Sequence, residues 1–223
     1  MVYVTGDFHG DFERFSDREL KKLKKGDTLL VCGDFGFIWQ GGKGEEKILK
    51  KIGKEKFNTI FVEGTHDNLD LIRSYPLEEE FSGKVRRICG RLFYCERGEI
   101  LKIEGKSFFL MGGGETDDAF SLVEGENWWR EELPTKEETE RARENLRANG
   151  DKVDYIITHE CGGRMRDFLL IDESQSEVNN LQMFFDQLSE EISYKAWFFG
   201  RYHKDKIISQ KSVAMFQKVL RIE

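Results

Sequence analysis

The alternation of short apolar runs with longer helical patterns constrains this 223-residue chain more than any other feature. Residues 1–6, 28–33 and 59–62 read as buried strands, and each run leads into glycine and a polar side chain. Between them, residues about 11–25 and 44–55 carry apolar positions at helical spacing, with lysine and glutamate on the outer face. A buried strand followed by an amphipathic helix is the repeating unit of a parallel sheet, because parallel neighbours need a crossover to return the chain. The expected class is α/β. Ligands of such sheets gather beyond the carboxyl ends of the strands, where Asp7, Asp34 and His66 fall.

The pattern changes between residues 84 and 113. Segments near 84–88, 92–95, 98–104 and 106–111 are short, β-rich and separated by glycine, as expected of antiparallel hairpins. A polar loop follows over 115–127, and Thr135 with Glu138 three residues on marks the start of a charged helix over about 135–149. Residues 153–157 and 196–199 read as strands that deliver His159 and His203, with a helix near 177–192 between them. The tail, 205–222, reads as a closing hairpin, and no linker divides the chain, so one domain over 1–223 is expected.

Charge excludes some partners. The net charge of −7, with acids and bases interleaved, disfavours an extended nucleic acid, which needs a basic face. The lysine runs 21–25 and 50–56 read as solvated helix faces. No apolar run approaches the roughly 20 residues of a membrane span, and no signal peptide is visible at the N-terminus. The four cysteines (Cys32, Cys89, Cys95, Cys161) lack CxxC spacing, which points to a reducing, cytoplasmic setting and away from a zinc knuckle or a disulfide framework.

Every histidine in the chain belongs to a short segment suited to metal-assisted phosphate chemistry. His9 lies in Asp7-Phe8-His9, His66 in Gly64-Thr65-His66-Asp67, His159 after Thr158, and His203 in Gly200-Arg201-Tyr202-His203; Gly33-Asp34 adds a carboxylate. Asp7 and His9 are two apart, so both can face one ion, with Asp34 as a second carboxylate and His203 as a second imidazole. This mixed nitrogen and oxygen set suits a divalent transition metal (Mn, Fe, Zn or Co) better than Mg or Ca.

In that order, over residues 6 to 203, these segments resemble the calcineurin-like metallophosphoesterases. The family runs Asp-x-His, Gly-Asp, Gly-Asn-His-Asp/Glu, a lone His after a strand, then Gly-His-x-His. The resemblance implies a four-layer α-β-β-α sandwich of two mixed β-sheets flanked by helices, with a metal site on one edge. It implies that Asp7, His9, Asp34 and His203 hold one metal, that Asp34 bridges to a second ion also held by His159, and that His66 assists the leaving group. The implied activity is hydrolysis of a phosphomonoester or phosphodiester, with a small phosphodiester or nucleotide preferred.

Two positions depart from the family pattern. The Asn of the second metal site is Thr65, and the first His of Gly-His-x-His is Arg201. A guanidinium keeps its proton and cannot coordinate a cation. Three readings follow: Arg201 replaces the second ion and, with Thr65, binds the substrate phosphate; a second metal still binds weakly; or the fold has become a ligand- or protein-binding scaffold. Arg201 could also pair with Glu160. Phe37 occupies a position at which some members carry a carboxylate that orients the catalytic His. Trp128-Trp129 could fill the core or cap the pocket, and Asp117 and Asp118 read as solvated.

Overall fold

The computed structural model describes residues 1–116, 121–170 and 177–222; Asp117 and Asp118 lie outside them. The strands are β1 (Val2–Thr5), β2 (Thr28–Val31), β3 (Asn58–Phe61), β4 (Leu77–Glu80), β5 (Gly83–Cys89), β6 (Leu92–Cys95) and β7 (Glu99–Ile103). They continue with β8 (Lys106–Met111), β9 (Tyr155–Thr158), β10 (Ala196–Phe199), β11 (Lys206–Ile207), β12 (Ser212–Ala214) and β13 (Leu220–Ile222). The helices are α1 (Lys43–Ile52), α2 (Leu69–Ser74), α3 (Lys136–Ala148), α4 (Gly163–Leu169) and α5 (Asn180–Glu191).

Two mixed sheets result, one ordered β13-β1-β2-β3-β6-β5-β4 and the other β11-β12-β10-β9-β8-β7. The central strands are buried on both faces, and their period of two sorts side chains between layers. Leu30, Ile60, Phe108, Leu110, Ile157 and Phe198 meet in the core between the sheets. Leu29, Val31 and Phe61 face outward onto Leu49 and Ile52 of α1 and Leu69 and Ile72 of α2. Phe109, Ile156 and Trp197 face the other way, onto α3, α4 and α5. The expected α-β-β-α layering is therefore present.

Several local expectations take a different form. Residues 11–25 do not make one helix: Asp11 caps a 3₁₀ turn at Phe12–Ser16, and a second turn covers Leu20–Lys22. The carboxylates of Asp11 and Asp17 accept from the amides of Glu13 (2.9 Å) and Glu19 (2.6 Å), and such local bonds compete with helix propagation. The 205–222 tail is not a simple hairpin. β11 and β12 pair antiparallel, but β12 runs parallel to β10, and β13 joins β1 of the other sheet. The 84–111 strands do form hairpins, but β5–β6 and β7–β8 lie in different sheets. Trp129 is buried, edge-on to Trp39 at 5.1 Å, and donates Nε1 to Asp70 at 3.2 Å, which favours the core role. The short α2, α4 and β4 had no clear sequence signal.

A buried ion network ties the sheets together. Arg97, where the chain passes from one sheet to the other, is fully buried; its Nε contacts Glu63 at the end of β3, and Nη1 reaches Glu138 of α3 at 2.8 Å. Its Nη2 donates to the carbonyls of Glu131 (2.7 Å) and Glu132 (3.1 Å). Removing one partner of such a network strands the other charge in the interior. Arg97→Ala is expected to lower unfolding free energy by about 3–5 kcal/mol, and replacing Arg97 and Glu63 together with apolar residues of similar volume should cost less than Arg97→Ala alone. Urea denaturation of the variants checks both.

Candidate metal centre

The carboxyl ends of the central strands of both sheets open on one edge. From the first sheet, β1 leads to Asp7 and His9, β2 to Asp34, and β3 to Thr65 and His66; from the second, β9 leads to His159 and β10 to Arg201 and His203. The turns that present them are strained. His9, Asp34, Arg201 and His203 adopt positive φ (49°, 41°, 66° and 48°), a conformation that costs L side chains energy and clusters at functional sites. Glycines give the carboxylates room: a Cβ at Gly64 would lie 2.0 Å from Asp34 Oδ1, and one at Gly200 would lie 2.1 Å from Asp7 Oδ1.

Asp7, His9, Asp34 and His203 each offer an atom within 4.8 Å of the other three. His9 Nε2 and His203 Nε2 face each other at 2.8 Å; His9 Nε2 lies 3.6 Å from Asp34 Oδ2, and His203 Nε2 lies 3.5 Å from Asp7 Oδ2. Two imidazoles and two carboxylates converging in this way can hold a divalent transition metal. Burial pushes the pKa of His9 down, which favours the neutral ring over the imidazolium. Burial also raises the pKa of Asp7, whereas for Asp34 it is outweighed by His159 and by hydrogen bonds from His66, which hold that carboxyl well below the usual range.

His159 is fully buried behind this group, with Nε2 3.5 Å from Asp34 Oδ1 and Nδ1 3.7 Å from Asp7 Oδ1. The carbonyl of Cys32 lies 3.1 Å from Nδ1 and can only accept, so Nδ1 carries hydrogen and Nε2 of the neutral ring bears the lone pair. That Nε2 has no hydrogen-bond partner among the described residues. Arg201 and Thr65 approach from the other side: a Cβ on Gly114 would meet Arg201 Nη1 at 2.7 Å, Thr65 Cγ2 at 3.1 Å and His159 Cδ2 at 3.2 Å. Arg201 does pair with Glu160, Nε to Oε2 at 2.9 Å without hydrogen-bond alignment, and its Nη2 donates to the Glu115 carbonyl. Tyr202 donates its hydroxyl to the same buried Glu160. This Glu160–Tyr202 support has no signature in the linear pattern.

His66 is oriented from a direction the sequence did not suggest. Phe37 is buried in the aromatic cluster under α1. Asp34 instead accepts from both the His66 backbone (2.8 Å) and its Nδ1 (2.9 Å), and this hydrogen bond raises the pKa of the imidazole. Asp67 turns inward and accepts from the amides of Phe35, Gly36 and Gly64 at 2.8–3.0 Å, binding the β2 loop to the β3 loop.

The sequence pattern of calcineurin-like phosphoesterases matches this chain over residues 1–200. The chain belongs to that family. No curated protein matches it. The calcineurin-like match ends at Gly200, before Arg201 and His203, so that turn is read from its geometry. The family is metal-dependent, and the group of two aspartates and two histidines has the chemistry for such an ion. No described helix of this phosphoesterase is long and apolar enough to cross a membrane.

The charges around His159 set a pH signature. Burial opposes its protonation, but Asp34 and Asp7 prevail and lift its pKa to about 9. A folded-state pKa above the ordinary 6.5 stabilises fully below 6.5 and is lost as pH rises through about 9. Chelator-treated protein should therefore lose stability between those values. A divalent ion at about 100 times its Kd should add roughly 2.7 kcal/mol; melting curves with chelator and with Mn at several pH values check both effects.

Proposed function

We propose that this phosphoesterase hydrolyses a small phosphomonoester or phosphodiester, with a nucleotide-sized substrate preferred, and that Asp7, His9, Asp34 and His203 hold its metal. The observation that carries the reading is the convergence of these four side chains, drawn from both sheets, to within 4.8 Å. When bound, a divalent ion such as Mn supplies Lewis acidity, lowering the pKa of water and polarising a phosphoryl oxygen. The hydrogen bond from Nδ1 to Asp34 raises the pKa of His66, which suits its other ring nitrogen to protonate the departing oxygen. Arg201 supplies a fixed positive charge beside His159, where the family pattern has a ligand of the second ion, and Thr65 offers a hydroxyl to a phosphate oxygen. His159 would contribute Nε2 to any second, weaker site. The net charge of −7 supports a short substrate over an extended polyanion, and four free cysteines support a reducing, cytoplasmic setting.

One observation favours the scaffold reading: Glu160 and the Glu115 carbonyl already engage the Arg201 guanidinium, which limits its freedom to clamp a phosphate. Turnover separates the two. Purified protein with Mn should cleave an aryl phosphate or an aryl phosphodiester, and His66→Asn should lower kcat by about 10²–10⁴ at unchanged metal content. Absence of both bound metal and turnover would leave the scaffold. A second test addresses Arg201. In Arg201→His with Thr65→Asn, metal stoichiometry should rise from about one toward two per chain; an unchanged count in a folded double variant would count against replacement of an ion by the guanidinium.

A further inference from the structure

The four converging side chains come from opposite sheets, so their spacing depends on what holds the ends of those sheets together. Asp7 follows β1 of the first sheet and His203 follows β10 of the second. Arg14 spans that joint at the level of the backbone. Arg14, half-buried in the 3₁₀ turn that Asp11 caps, donates Nη1 to the backbone carbonyl of Asp7 and Nη2 to both Thr5 Oγ1 and the Phe216 carbonyl, each at 2.8 Å. Its guanidinium also lies over the Phe8 ring, 4.3 Å from the centroid. Thr5, Asp7 and Phe8 belong to the first sheet's strand tip, whereas Phe216 follows β12 of the second.

Phe216 carries the contact on to His203. Its ring stacks on the imidazole with centroids 4.7 Å apart and planes 24° apart. Its carbonyl also accepts from Gly6 at 3.2 Å, and Asp205 accepts from the amides of Phe216 (2.9 Å), Gln217 and Lys218 (both 3.1 Å). The loop under His203 is thereby held at its backbone from two sides. A planar fork with several fixed donors suits this task; a lysine could not bond three oxygens in one plane.

We propose that Arg14 is a positioning residue for the metal centre, fixing the distance between Asp7 and His203 by bonding the backbone beneath both, with Phe216 setting the plane of the His203 ring. The inference rests on the proposed ligand set. Outer partners of this kind orient ligands, and their loss typically weakens metal affinity by roughly 10–100-fold. The charge of Arg14 acts in the opposite sense, since it repels a nearby cation.

The test is a cobalt titration of the metal-free protein, read by visible absorption, beside metal-free melting curves. Cobalt bound to wild type should leave when His203 is replaced by Ala; if wild type binds none, the ligand set itself fails and not the clamp. Arg14→Met keeps the stem over Phe8 and removes the fork; it should raise the cobalt Kd by about 10–100-fold and alter the absorption spectrum. Arg14→Lys keeps the charge without the fork and should also bind more weakly than wild type; it remains informative should Arg14→Met not fold. Phe216→Leu should change the spectrum, and Phe216→Tyr should restore it. Wild-type affinity and spectrum in folded Arg14 variants, whether or not melting falls, would overturn the proposal, as would tighter binding by Arg14→Met, which would mean that charge and not geometry dominates.

Discussion

Two buried carboxylates, Asp7 and Asp34, sit where the carboxyl ends of two sheets meet, and much of the site is arranged around them. Desolvating a carboxylate is costly unless hydrogen bonds or opposite charges compensate it. Here the compensation comes from every side: the Arg201 amide on Asp7 at 2.9 Å, the backbone and ring of His66 on Asp34, and His159 between the two. Bringing the carboxylates this close demands left-handed turns at four non-glycine residues and glycines at Gly64 and Gly200, where no Cβ fits. The strain persists because the sheets behind it are buried on both faces.

Arg201 changes the chemistry of half of this site. It brings a charge that cannot be removed and a geometry that cannot ligate. A buried Glu160, itself held by Tyr202 and by the Cys161 amide at 2.8 Å, balances that charge. Arg201 is therefore embedded in a local network of Glu160, Tyr202 and the Glu115 carbonyl. Asp7, His9, Asp34 and His203 converge on the other side of the cluster, and Asp34 lies against both His9 and His159.

Polar contacts across the sandwich recur both beneath the site and away from it. Arg97 joins the first sheet to α3 through Glu63 and Glu138, and Arg14 joins β1 to the loop after β12. Apolar layers alone would let two sheets slide with little penalty, because hydrophobic burial is non-directional. Directional bonds from buried or half-buried arginines add a geometric preference that apolar layers lack.

The sequence by itself determined the α/β class and the strand tips on which the candidate residues lie, because periodicity of two and of 3.6 is a local property and strand tips are where α/β ligands gather, while the four-layer sandwich was implied by the family resemblance. It also identified Asp7, His9, Asp34, His66, His159, Arg201 and His203 as candidates, since each follows a legible apolar run. It misjudged residues 11–25, where Asp11 and Asp17 divert the backbone into turns, and the tail, where β12 and β13 part to different sheets. Only the tertiary structure decided that Asp34 orients His66, that Glu160 engages Arg201, and that Arg14 and Phe216 underlie Asp7 and His203. Those partners are separated by up to 202 positions in the chain and share no spacing, so nothing short of the folded arrangement could bring them together.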